Sequence, residues 1–134
     1  MTHFFADDGE KIHVQLSGDG PPIIMLHGWT ASHLEWAPFL DQLTPHHRVL
    51  RWDARGHGGH RLTRDTVPTV QRMARDLHNL IDHYQLDRLV AVGHSMGALT
   101  LWQYIEEHGC SRLSKVCFLD QSPKLLTLSL IHIS

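Results

Sequence analysis

Five consecutive residues, Gly93-His94-Ser95-Met96-Gly97, place a hydroxyl between two glycines. An apolar run ending at Val92 precedes them and a helical pattern opens at Met96, so the serine stands on a strand-to-helix turn. Glycine on both flanks permits a turn too tight for side chains there, which lifts the Ser95 hydroxyl clear of the backbone. The helix that follows brings N–H groups without intrahelical acceptors, and the positive end of its dipole, to the same place. A hydroxyl that attacks a carbonyl carbon needs these features, because the attack creates an oxyanion that fixed donors must hold.

Serine alone is a weak nucleophile and needs a base within hydrogen-bond reach. The sequence holds thirteen histidines. His94 adjoins Ser95, but neighbours in a tight turn point apart, so it is expected to pack or hydrogen-bond elsewhere. His108 lies along or just past the helix that begins after Ser95, about 20 Å away at 1.5 Å per residue. His132 sits in the last residues, with no later strand to carry it back. His57-x-x-His60 and His46-His47 invite a metal reading. No cysteine and no third or fourth ligand accompanies them, whereas zinc needs three or four. They are expected to line a polar cleft and surface, and no metal or cofactor is expected.

Hydrophobic periodicity supplies the elements that would hold this turn. Lys11–Ser17 alternates as a half-buried strand, and Ile23 to Leu26 is a continuous apolar run suited to a strand covered on both faces. Leu34 to Leu43 suits a short amphipathic helix ending before Pro45. Arg48 to Trp52 reads as a strand closed by a glycine-rich loop, Asp53 to His60. Val67, Val70, Met73, Ala74, Leu77, Leu80, Ile81 and Tyr84 form one helical stripe with Thr69 as its N-cap. Leu89 to Val92 is a buried strand, Ala98 to Ile105 is helical, and Val116 to Leu119 is a strand ending at Asp120. Alternating strands and helices imply a mostly parallel sheet with helices on both faces, an α/β fold. Ligands bind such sheets at the carboxyl ends of the strands. The polar loops at Gly28, Asp53–Gly59, Ser95 and Asp120 all follow strands and should gather there.

Taken together, the motifs resemble the N-terminal part of an α/β-hydrolase. The resemblance implies that Ser95 is the nucleophile, with Gly93, His94 and Gly97 completing its elbow. It implies oxyanion-hole N–H groups from Met96 and from Trp29, in the His27-Gly28-Trp29 loop. His27 and Gly28 would support that loop. Asp53-Ala54-Arg55-Gly56-His57-Gly58 resembles the family's D-x-R-G-x-G turn, with Asp53 and Arg55 as loop supports; Arg55 would brace backbone carbonyls. The family often has Ser where this chain has His60. Some members place the triad acid where Asp120 stands, most on the next strand. The activity implied is cleavage of a carboxylic ester or related small acyl substrate through an acyl-serine. Carbon–carbon bond hydrolases and cofactor-free perhydrolases use the same scaffold, and a non-catalytic, ligand-binding relative is the alternative outside enzymes. A haloalkane dehalogenase would need a carboxylate where Ser95 stands. Trp29 is expected to wall an acyl pocket over Ser95, with Trp36, Trp52 and Trp102 in the core.

Composition agrees with one domain. The 134 residues are 42% hydrophobic and 19% charged, with a net charge of −2. That balance gives no electrostatic reason to expect nucleic acid or an anionic membrane as partner. A small acyl or ester molecule is the expected partner. No signal peptide is visible, and Cys110 and Cys117 form no framework, so a cytoplasmic setting is expected.

The last residues, Leu128–Ser134, resemble the translation of a transposon-derived sequencing adaptor. Residues 1–127 are therefore expected to be a partial α/β-hydrolase domain, lacking the last strands, any cap and the catalytic histidine. Residues 128–134 are expected to be a foreign read-through tail. The competing reading is a genuine strand, since the segment alternates. If the tail is foreign, Val116–Leu119 becomes an open apolar sheet edge, and such edges template aggregation.

Overall fold

A computed structural model of the chain describes residues 1–60, 68–121 and 126–132, with side chains in the last stretches described only as far as Leu119. Seven strands form one sheet: β1 (Thr2–Phe5), β2 (Lys11–Ser17), β3 (Pro22–Leu26), β4 (Arg48–Asp53), β5 (Leu89–His94), β6 (Leu113–Gln121) and β7 (Leu126–His132). Their spatial order is β1-β2-β4-β3-β5-β6-β7. The central strands β4, β3, β5 and β6 run parallel, and β1, β2 and β7 join antiparallel at the flanks. β1 has no counterpart in the periodicity reading. It is four residues long, and only Phe4 is buried, too little pattern to detect.

Each central strand is apolar on both faces because each face is covered. Ile24 and Leu26 of β3, Leu50 and Trp52 of β4, and Ala91 of β5 point to one side. There they meet α2 (Val70–His83) and α3 (Met96–His108). The expected stripe of α2 is buried at Met73, Ala74, Leu77, Leu80 and Ile81, and the Thr69 hydroxyl accepts the Arg72 N–H at 3.0 Å as its N-cap. Val67, the first residue of that stripe, lies outside the described residues. On the other side Ile23, Met25 and Val49 pack against Trp36, Leu40 and Leu43.

The segment expected as one helix over Leu34–Leu43 is instead a 3-10 helix, His33–Phe39, followed by a single α-turn, α1 (Leu40–Leu43). Pro38 has no N–H to donate to the Leu34 carbonyl, which disrupts the α ladder at its middle. The Ser32 hydroxyl starts the 3-10 helix by accepting the Leu34 N–H.

The open edge expected at Val116–Leu119 is covered. β7 pairs with β6 along its length, from Gln121 opposite Leu126 to Lys115 opposite His132. Residues 133 and 134 of the expected tail lie outside the described residues. Trp36 and Trp52 are buried, but Trp102 is not. α3 buries Gly97, Thr100, Leu101 and Tyr104, so Trp102 falls off the buried stripe and is half exposed, stacked on Phe118 at 4.3 Å. Among the described residues no helix is long and apolar enough to cross a membrane.

Candidate active site

β3 is followed by the 3-10 segment on one face of the sheet, and β5 by α3 on the other. β3 and β5 are neighbours, with Leu26 paired to Gly93. The chain therefore leaves two adjacent strands in opposite directions, and a crevice opens between them at their carboxyl ends, as expected for a topological switch point. The loop His27–Ser32 and the turn at Ser95 face each other across it.

Ser95 adopts φ 54° and ψ −111°. A non-glycine residue at such angles costs on the order of 1–3 kcal/mol, and strain of that size is found where the chain must aim a side chain. The hydroxyl makes no capping bond to α3. The Ser95 N–H donates to the Leu119 carbonyl at 3.2 Å, which pins the turn to the end of β6. Both flanking glycines are required by close approach. A Cβ on Gly93 would lie 2.6 Å from the Gly97 carbonyl oxygen, and one on Gly97 would lie 2.2 Å from that of Leu26.

The two N–H groups named by the resemblance sit on the two sides of the crevice. Met96 is the first residue of α3, so its N–H has no intrahelical acceptor. Among the described residues no backbone carbonyl engages the Trp29 N–H. A Cβ on Gly28 would lie 3.4 Å from the Ser95 Cβ and 3.0 Å from His94 Nδ1, so this loop rests directly against the elbow.

Three side-chain systems hold the loops. His27 is fully buried; its Nδ1–H donates to the Gly28 carbonyl at 2.8 Å and its Nε2 accepts the Ala54 N–H at 3.0 Å. Burial pushes its pKa below the ordinary value. Asp53 receives the His33 N–H at 2.8 Å, the His33 Nδ1–H at 2.9 Å and the His60 Nε2–H at 3.0 Å. Burial pushes the Asp53 carboxyl up, but these hydrogen bonds outweigh it and leave the group below the ordinary carboxylate range. The His60 imidazole thus donates to Asp53 from the position where the resemblance has Ser.

Arg55 does not brace backbone carbonyls. Its guanidinium binds Asp76 at 2.7 Å and Asp8 at 2.9 Å, joining the loop to α2 and to the turn between β1 and β2. A guanidinium offers a planar fork of donors that matches carboxylates, and two of them lie within reach here. The Arg55 contact holds the Asp8 carboxyl well below the usual range.

The remaining predicted residues are placed as follows. His94 turns away from Ser95 and donates from Nδ1 to Glu35, 3.0 Å from Oε1 and 3.1 Å from Oε2. Trp29 is half exposed; its ring partner is His57, edge-on at 5.1 Å, in a cleft of about 380 Å³ between the two loops. Its ring therefore packs on the Asp53–His60 loop. Asp120 stands opposite Thr127 in β6, next to the Leu119 carbonyl that receives the Ser95 N–H; its side chain lies outside the description. His132 pairs with Lys115, which also faces Val90 of β5. Five strand residues separate that level from Ser95, about 17 Å. His108 ends α3, at the opposite end from Ser95. Among the described residues no three His, Cys, Asp or Glu side chains converge as metal ligands would. Glu35 and His33 escaped the sequence reading. Their partners lie 59 and 20 residues away, and no local pattern marks such pairs.

Known proteins resemble the chain in sequence and fold. A profile of the alpha/beta hydrolase fold matches residues 21–131. A non-heme haloperoxidase of Rhodococcus erythropolis is 32% identical over 132 residues, covering 94% of this chain and 46% of that protein. A soluble epoxide hydrolase of Corynebacterium sp. (strain C12) is 28% identical, covering 94% and 44%. The structure of an esterase from Exiguobacterium antarcticum superposes with a TM-score of 0.84 at 31% identity, over 91% of this chain and 46% of that one. The chain thus spans less than half the length of these relatives. The match across residues 21–131 places the chain in the alpha/beta hydrolase fold family.

Proposed function

We propose that this chain carries the nucleophile and oxyanion hole of a serine hydrolase acting on carboxylic esters or related small acyl substrates. The observation that carries the reading is the strained, uncapped Ser95 at the mouth of the β3–β5 crevice, against the Gly28–Trp29 loop. In the reaction, Ser95 Oγ attacks the acyl carbon, and the carbonyl oxygen takes the negative charge between the Trp29 and Met96 N–H groups. The C–O bond to the leaving alcohol breaks, and the alcohol takes the proton that left Ser95. Water then attacks acyl-Ser95, releasing the acid and restoring the hydroxyl.

The scheme needs a histidine to carry the proton, and none of His27, His94, His108 and His132 stands ready beside Ser95. His94 is bound to Glu35, His27 is bonded at both nitrogens, and His108 and His132 stand at the far end of their elements. The chain by itself is accordingly expected to show essentially no esterase turnover. Exogenous imidazole supplies the missing base in the test. With p-nitrophenyl acetate and imidazole, intact-mass and peptide analysis should find acetyl on Ser95, absent from Ser95→Ala. Equal labelling of the two proteins overturns the reading, as does imidazole-free turnover that depends on Ser95 for the expectation of inactivity.

The identity to a protein named a haloperoxidase favours a second reading on the same site. Hydrogen peroxide would replace water in the second step, and acyl-Ser95 would release a peracid. Peracid formation from acetylated chain and peroxide distinguishes the two.

A further inference from the structure

The two oxyanion donors belong to separate segments. The Trp29 N–H sits on the loop after β3, and the Met96 N–H on the elbow after β5. Strand pairing fixes the two segments only up to Leu26 and Gly93. Beyond that level the loop runs through a turn, Ala31 N–H to Gly28 carbonyl at 3.2 Å, with Thr30 at φ 64°, before the 3-10 helix begins. His27 and His33 tie this loop to the loop after β4 and to Asp53, on the side away from the elbow, so its spacing from the elbow depends also on a link that reaches the elbow itself.

That link is Glu35. It lies in the first turn of the 3-10 helix, beside Trp36, which is buried in the core of the second face. Its carboxylate receives the Nδ1–H of His94, the residue immediately before Ser95. The pair is mostly shielded, with the His94 and Glu35 side chains 17% and 24% exposed, and the buried Trp36 indole also meets the His94 ring edge-on at 6.5 Å. His94 Nδ1 is also among the atoms nearest Gly28. The bond therefore closes a ring: β3, the oxyanion loop, the 3-10 helix, Glu35, His94 and back to β5.

We propose that Glu35 is a positioning residue of this site: through His94 it fixes the separation between the two segments that carry the Trp29 and Met96 donors. This inference rests on the serine-hydrolase reading above. A misplacement of about 1 Å in such a constellation costs up to two orders of magnitude in rate. The hydrogen bonds of the Glu35 carboxylate among the described residues go to His94, so its effect on the nucleophile and the donors passes through that ring.

The experiment uses the chain in three forms: wild type, Glu35→Ala and Glu35→Gln. The glutamine keeps a carbonyl oxygen as acceptor for the His94 N–H. The direct readout is the NMR cross-peak between the Gly28 Hα and Ser95 Hβ protons, which reports the distance between the segments. We expect it to be strong in wild type and Glu35→Gln and weakened in Glu35→Ala, with the melting temperature little changed. The imidazole-assisted acetylation of Ser95 should fall at least about tenfold in Glu35→Ala and recover in Glu35→Gln, a loss of the size that misaligned oxyanion donors produce. An undiminished cross-peak in Glu35→Ala overturns the proposal. So does a loss that Glu35→Gln fails to restore. Should Glu35→Ala not fold, His94→Phe removes the same bond from the other side and is read identically. If wild type is not acetylated at Ser95, the hydrolase reading fails, while the cross-peak still decides whether Glu35 holds the two segments together.

Discussion

The His27 imidazole accepts the Ala54 N–H through Nε2 at 3.0 Å, in a fully buried bond that spans 27 residues of sequence. It joins the loop after β3 to the loop after β4 just below Trp29. Only a neutral imidazole can make it, because a protonated ring has donors at both nitrogens. The oxyanion loop is thus secured by a group that must stay uncharged, and its burial favours that state.

Stability should therefore fall on mild acidification. Burial lowers the pKa of His13, His27 and His108 from the ordinary 6.5. In the window between the folded and unfolded values the unfolded chain binds more protons, so stability rises with pH there. The contribution is complete above 6.5 and is lost progressively as pH falls from there through the lower folded values. Asp53 and Asp8 are shifted the same way from 3.8, so their contribution is lost only below that value. Melting temperatures should decline from pH 7 toward 5, and less steeply in His108→Gln. A flat profile over that window would refute the account.

Arg55 is expected to matter for folding more than for chemistry. Its guanidinium shares the fully buried Asp76 with Arg72, which lies 3.0 Å from the same carboxylate. Leaving a buried charge with no partner costs about 3–5 kcal/mol. Because Arg72 stays, Arg55→Ala should lose up to that much in urea unfolding. Arg55→Lys keeps the charge but breaks the two-pronged geometry, and should lose a substantial part of the same stability. An Arg55→Ala chain as stable as wild type would show that Arg72 alone compensates the Asp76 charge.

Gly97→Ala should be far more damaging than an ordinary helix glycine replacement, which normally stabilises. Its Cβ would sit 2.2 Å from the Leu26 carbonyl oxygen, a backbone atom of a buried strand that cannot swing aside. Overpacking of this kind costs about 1–3 kcal/mol. It should also push α3 away from β3 and spoil the aim of Met96. Denaturation midpoints of wild type and Gly97→Ala test the first effect, and Ser95 acetylation the second. A stabilised variant would show that the close approach is misread.

β7 is the last strand of the described sheet, and its sequence, Leu126–His132, has no Asp, Glu, Lys, Arg or Pro. An uncharged apolar edge templates further pairing. The chain is expected to associate as concentration rises, and Ser129→Lys should reduce that association in light scattering. A monomer at all concentrations with a sharp cooperative melt would contradict it.

What the sequence determined by itself was local. Apolar runs marked β3, β4 and β5, a three-and-four spacing marked α2, and two glycines around Ser95 marked a turn that only a strand-to-helix junction needs. These are patterns within a dozen residues, and the physics that produces them acts over that range. Even the break of Leu34–Leu43 into a 3-10 helix and one α-turn had its cause in one residue, Pro38, though the pattern alone pointed to a single helix. The tertiary structure decided what meets across the sheet. It set the carboxylates of Asp76 and Asp8 on Arg55 in place of carbonyls, turned Trp29 toward His57, left Trp102 at the surface, and laid β7 along β6 with His132 at the wrong end for chemistry. It also brought Glu35 to His94. Such partners are chosen by the order and direction in which strands assemble, which no local spacing encodes.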